Sequence, residues 1–262
     1  AYVTSLISSD SVRTIADGAF YNALCLVEVN IPAGVESIGK GAFSSCYSLV
    51  SIAVDDANQY YSIEDSVLYN KNKTVLVKYP EKKADLTFAV PDSVERIEDF
   101  SNNGFLTEIS LGSKVRDDAD YFYGFKNLIR FTVAEDNPYL TVYDDALYTK
   151  DGKTLIDYPG GKTDSSYLVR EGVETIARYA FSENAFLEKI YLPASVTTLK
   201  NQAFSYKNKL LTGVYFYGDA PVVMEWMGGI FPLYYIPGKS GWTTPKWTSS
   251  SRQVYNTAEW NP

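Results

Sequence analysis

Apolar positions along this chain return at a fixed interval. Val12, Ile15 and Phe20 reappear as Val35, Ile38 and Phe43, each 23 residues on, and Val173, Ile176 and Phe181 reappear as Val196, Leu199 and Phe204 at the same spacing. The shared pattern is V-x-x-I-x-x-x-A-F, a short polar loop, then L-x-x-I-x-L. Six copies can be followed, anchored by Phe20, Phe43, Phe100, Phe122, Phe181 and Phe204. Self-similarity at roughly 20–50 residues marks a stacked repeat array.

The end of each copy alternates apolar and polar residues, the two-residue period of a half-buried strand. The six ends read as Leu24, Val27 and Val29; Leu49, Ile52 and Val54; Leu106, Ile109 and Leu111; Leu128, Phe131 and Val133; Leu187, Ile190 and Leu192; Leu211, Val214 and Phe216. One such strand cannot bury its apolar side alone. Six stacked copies can, in a ladder on the order of 25–30 Å long. The third copy lacks the Ala before its Phe, and the fourth carries Asp118 near the expected Ile, so register is least constrained there.

A second period of 79 residues is superimposed. Asn58, Tyr60, Leu68, Tyr69, Leu76, Tyr79 and Pro80 recur as Asn137, Tyr139, Leu147, Tyr148, Leu155, Tyr158 and Pro159. Each segment reads as strand, polar turn, strand, with turns at 70–73 and 150–153 rich in Asn, Asp, Gly and Lys. Such residues between β-formers signal hairpins. Two β-hairpins inserted at about residues 55–90 and 134–169, projecting from one side of the array, are the expectation.

The run from Ile31 to Cys46, IPAGVESIGKGAFSSC, and the phrase LPASV at 192–196 resemble the BspA-type leucine-rich repeats of bacterial surface proteins. The hairpins ending in Tyr-Pro and the segment from Tyr235 to Trp247 resemble the same family, over about residues 8–250. The fold class expected is therefore β-rich or mixed: a leucine-rich-repeat solenoid of about six repeats of ~23 residues with two inserted hairpins. The solenoid would occupy 1–216, and a C-terminal cap and tail 217–262, because Tyr217-Gly-Asp-Ala-Pro221 breaks the period and repeat arrays need capped ends. The last dozen residues are polar, and composition gives little reason to expect order there. The resemblance implies an extracellular or cell-surface location. The chain opens abruptly at Ala1-Tyr2-Val3 without a signal-peptide pattern, as a processed or truncated chain would.

Composition narrows the chemistry. There is no histidine, which removes the commonest general base and transition-metal ligand together. No GxSxG, Walker loop or HExxH occurs, so no enzyme, cofactor or metal centre is expected. The carboxylate pairs Asp55-Asp56, Glu64-Asp65 and Asp144-Asp145 read as solvated turn residues, since neighbours on an extended chain point apart. Asp117, Asp118 and Asp120 form the densest acidic run but lack the spacing of an EF-hand loop. Cys25 and Cys46 sit at different offsets from their Phe anchors, which favours two thiols over a bridge. The resemblance implies a core role for Cys46. A net charge of -8 disfavours nucleic acid and anionic membranes, and no run of about 20 apolar residues could cross a bilayer.

Binding is what remains. In the L-x-x-I-x-L strands the intervening residues should face outward as one continuous surface: Glu28, Ser51, Glu108, Arg130, Lys189, Tyr191 and Tyr215, with Ala53, Ser110 and Thr132 between them. The mixed charge, and the Tyr toward one end, suit a protein surface better than a polyanion, and the resemblance implies adhesion to a protein on a host or neighbouring cell. The second reading is a glycan held by aromatic loops, with Tyr60-Tyr61, Tyr121 to Tyr123, Tyr234-Tyr235, Trp242 and Trp247 as candidates. Trp242 and Trp247 also fit a role in sealing the cap.

Overall fold

The computed structural model describes residues 5–7, 9, 11–116, 122–204, 207–229, 231–244 and 246–262. Among these no helix is found; the chain is a β-solenoid of about ten turns. Stacked at the usual strand spacing, these give a ladder on the order of 45–50 Å, the six repeats together with the turns added by the inserts and the C-terminal region.

Each turn contributes two strands. The longer strands form one column, the L-x-x-I-x-L segments pairing in parallel and in register: Val29 lies against Ile52, Ile109 against Phe131 and Ile190 against Val214. A second column holds strands of two residues in the V-x-x-I part of the repeat, with Ile15 against Ile38 and Ile176 against Leu199. The apolar residues of both columns face one interior, where Val35, Leu49, Ile109, Val173, Ile190 and Phe181 are fully buried. The anchors stack between columns, Phe20 on Phe43 at 5.5 Å and Phe181 on Phe204 at 5.5 Å between ring centroids.

Three features depart from the sequence reading. First, the opening copy is misregistered by two residues. Leu24 is 51% exposed, and the buried set is Leu26, Val29 and Ile31, which lies 23 residues before Leu49, Ile52 and Val54. A run of alternating Leu and Val (Leu24, Leu26, Val27, Val29) fits either register locally, and only the partner strand decides.

Second, the hairpins do not project. Tyr61–Glu64, Val67–Asn70 and Val75–Lys78 form an antiparallel meander, and its third strand enters the second column by parallel pairing with Arg96–Ile97. The chain then returns through Thr87–Ala89 to pair with Glu108–Leu111 in the first column. The later unit repeats this through Leu140–Tyr143, Ala146–Thr149, Thr154–Asp157 and Ser166–Leu168. Each insert thus supplies a full extra turn, with a buried tyrosine as its anchor: Tyr79 packs on Phe100 at 4.8 Å and Tyr158 on Phe181 at 5.7 Å. Asp65-Ser66 and Asp144-Asp145, all at positive φ, make the tight turns, in keeping with the reading of the Glu64-Asp65 and Asp144-Asp145 pairs as turn residues.

Third, the region after residue 216 continues the stack. Leu233–Tyr235 and Val254–Glu259 extend the first column and Val222–Val223 the second. Closure comes from Lys246–Thr248, antiparallel to Val254–Glu259. The polar tail is a strand because Tyr255 and Thr257 alternate inward and are buried.

Candidate functional site

The proposed face lies on the first column, and the structure divides it. The hairpin meanders interrupt the column, leaving sheets of three, three and six strands rather than one continuous surface. Glu28 and Ser51 are neighbours in the first sheet, Glu108 and Arg130 in the second, and Lys189, Tyr191 and Tyr215 belong to the third. All seven point away from the core, as the alternation requires: Glu28, Arg130 and Lys189 are exposed and the others half-buried.

The three sheets differ in what they offer. In the first, Glu28 and Asn30 stand beside Ser51 and Ala53, a small polar surface. In the second, Arg130 closes on Glu108, with Nε at 2.9 Å and Nη2 at 2.5 Å from one carboxylate oxygen. Thr132 Oγ1 donates to Ser110 Oγ at 2.8 Å. These groups satisfy one another, and an exposed ion pair adds little to stability.

The third sheet carries aromatics. Tyr191, Tyr215 and Tyr234 occupy one row across three consecutive strands. Their rings stack face to face, 4.8 Å and 4.6 Å apart. Trp260 lies across the row, 5.7 Å from Tyr191, 4.9 Å from Tyr215 and 5.2 Å from Tyr217. Its backbone N–H donates to Tyr235 O at 2.9 Å, which pins the tail there. Leu168, beside Tyr191 in the next strand, is 62% exposed. Gly213 makes room for the stack, since a Cβ there would come within 2.6 Å of Tyr234 Cε2. Burial, with Tyr234 and Tyr191 close by, pushes the Tyr215 phenol above its ordinary value.

Tyr234 and Trp260 were not assigned to this face from sequence. Tyr191 and Tyr215 sit 24 residues apart, but Tyr234 follows after 19, and the shortened turn hid the continuity. The aromatic loop candidates fare differently. Trp242 and Trp247 are buried, 4.7 Å apart, and Trp242 packs on Phe216 and Tyr235. Their rings seal the end of the core and present no face for a glycan. Tyr60 is exposed, whereas the Tyr61 hydroxyl accepts the Ile38 backbone N–H at 2.7 Å. Tyr123 is half-buried against Tyr179 at 4.6 Å, and Tyr121 lies outside the described residues.

The carboxylate pairs serve structure. Asp65 is bound by Lys83, and Asp144 and Asp145 by Lys162. Asp117, Asp118 and Asp120 lie outside the described residues. Cys25 is half-buried and Cys46 buried, both as free thiols; Cys46 Sγ donates to Phe20 O at 3.2 Å, and desolvation raises its pKa to about 11. No described helix is long and apolar enough to cross a membrane.

Comparison with known proteins accords with this geometry. The profile of the BspA type leucine rich repeat region matches six copies, over residues 1–87 and 165–216, more than half of the chain. No curated protein matches. Among solved structures, a leucine-rich repeat protein from Eubacterium ventriosum is 18% identical with a TM-score of 0.52, covering 89% of this chain and 66% of its own. A leucine rich cell surface protein from Faecalibacterium prausnitzii is 17% identical with a TM-score of 0.47, covering 100% of this chain and 88% of its own. The pneumococcal vaccine antigen PcpA is 20% identical with a TM-score of 0.41, covering 86% and 60%. This chain thus spans less than two thirds of the Eubacterium protein and of PcpA. With six profile matches on a solenoid whose turns stack in register, the chain belongs to the BspA-type leucine-rich-repeat family.

Proposed function

We propose that this chain is a non-catalytic module of a cell-surface or secreted bacterial protein that holds a protein ligand on host or neighbouring cells. Membership of a family of surface repeat proteins supports the location. The observation that carries the binding reading is the tyrosine row of the third sheet, with Trp260 and Leu168 at its edges. Tyr and Trp give large, rigid contact area at low entropic cost, and they dominate binding hot spots. The stacked rings cover each other's faces, so the row presents edges and hydroxyls, which suits a protein surface better than sugar stacking. Glu108 and Arg130, on the second sheet, are already paired with each other.

The test is retention of purified extracellular-matrix and cell-surface proteins on the immobilised chain. Wild type should retain at least one, and Tyr191→Ala with Tyr215→Ala should release it, while Glu28→Lys on the first sheet leaves it bound. Retention unaffected by the tyrosine substitutions, or no retention by wild type, would sink the reading.

A further inference from the structure

Away from the strand face, the loops after the anchor aromatics enclose a cavity of about 400 Å³. It lies over the turns at 102–105 and 124–127 and reaches Tyr47 on one side and the Glu183–Lys207 ion pair on the other. None of the repeat positions that define the fold lines it.

Its charge is specific. Glu81 at its floor is held by Lys78, and Glu183 by Lys207. Lys82 and Lys126 have no carboxylate partner among the described residues; Lys82 instead stands 5.8 Å from the Phe105 ring centroid. On a chain of net charge -8, two ammonium groups without a carboxylate partner among the described residues, both lining one cavity, favour an anionic ligand.

Its hydrogen-bonding groups say more. Glu81 Oε2 is buried without a hydrogen-bond partner. Asn127 Nδ2 donates to Gly104 O at 2.6 Å and Asn102 Nδ2 to Ser101 Oγ at 3.1 Å, leaving both amide oxygens as acceptors. A hydroxyl-rich ligand would satisfy the buried Glu81 oxygen and engage the two amide oxygens at the same time. Tyr47 and Phe105 are partly exposed at the rim and offer apolar faces to C–H groups. One ligand class combines a carboxylate, several hydroxyls and a flat C–H face.

We propose that this cavity binds an acidic sugar residue of a glycan, the carboxylate between Lys82 and Lys126 and the hydroxyls on Glu81, Asn102 and Asn127. The site is independent of the protein-binding reading of the strand face.

The experiment is calorimetric titration of the whole chain, at low ionic strength, with a tetrasaccharide containing glucuronic acid. Its controls are the same tetrasaccharide with reduced carboxyl groups and a tetraglutamate peptide. Wild type should bind the acidic sugar in preference to both controls. Lys82→Gln with Lys126→Gln, both at exposed positions that leave the fold intact, should weaken binding by about tenfold or more, a loss of two charge-assisted contacts. Tyr191→Ala with Tyr215→Ala should leave it unchanged, which separates this site from the strand face. Unchanged affinity in the lysine variant, equal binding of the reduced sugar, preference for tetraglutamate, loss on the tyrosine substitutions, or no binding would each overturn the proposal.

Discussion

Lys78 is buried and faces two carboxylates, Glu81 Oε1 at 2.8 Å and Asp99 Oδ2 at 2.9 Å. Asp99 also accepts from Ser44 Oγ at 2.7 Å, whereas Glu81 Oε2 receives nothing, and burial pushes Glu81 up to about 7. In the second long unit Asp157 replaces Lys78, and the Tyr158 N–H bonds Ala180 where the Tyr79 N–H bonds Asp99. The cation and its acid are both gone, so Asp157 is buried with no ionic partner among the described residues, and burial holds its carboxyl well above the usual range. Both groups bind protons more readily folded than unfolded. Their stabilisation is complete below the unfolded value, about 4, and is lost as pH rises toward the folded one. Asp157→Asn should stabilise the protein at pH 7 and shallow that decline, read from urea unfolding at several pH values. An unchanged pH slope would mean that Asp157 is ionised in the fold. Asn58 tests the opposite case, a satisfied polar group. Its amide donates to Pro32 O and Val35 O at 2.8 and 3.0 Å and accepts from the Tyr60 and Tyr61 N–H groups at 2.8 Å each. Asn58→Ala strands all four partners and should cost about 2–4 kcal/mol in the same assay.

The inserts behave as structural turns, and that claim has an energetic consequence. Tyr158 is fully buried, packs on Tyr167 at 4.3 Å and on Phe181, and donates its hydroxyl to Asp164 Oδ2 at 2.6 Å. Tyr158→Ala is therefore expected to cost as much as Phe181→Ala, about 3–5 kcal/mol, in chemical denaturation. A hairpin merely attached to the array would lose far less. At the other end of the third sheet, Gly213→Val should displace the rings of Tyr215 and Tyr234 while keeping the strand. Near-UV circular dichroism should change with the far-UV spectrum preserved; loss of both would mean that Gly213 serves the backbone instead.

The solenoid as a whole is a stack of nearest-neighbour contacts, so stability need not be uniform along it. Among the described residues, the buried apolar ones form three clusters: an N-terminal one from Ile15 to Val77, a middle one from Val67 to Ile156, and a C-terminal one from Ala146 to Tyr255 that includes Trp242 and, on the closing hairpin, Trp247. The N-terminal cluster is the smallest and holds few large aromatics among the described residues. Amide hydrogen exchange should show lowest protection in the strands at 28–31 and 51–54 and highest in those at 189–192 and 213–216. Equal protection at both ends would mean that the array opens as one cooperative unit.

The sequence alone determined the repeat, the inward residues of most turns and the outward row holding Tyr191 and Tyr215. A side chain's facing follows from strand alternation, and alternation is written locally. It did not determine the register at Leu24 and Leu26, where both choices satisfy the local pattern. Nor did it show that Tyr79 and Tyr158 anchor turns, because their spacing breaks the 23-residue period and only parallel pairing with the next turn reveals the equivalence. The tyrosine row with Trp260, and the cavity joining Lys82, Lys126 and Glu81, were decided by tertiary structure. Their members come from turns of unequal length, and stacking, which sequence distance does not encode, brings them together.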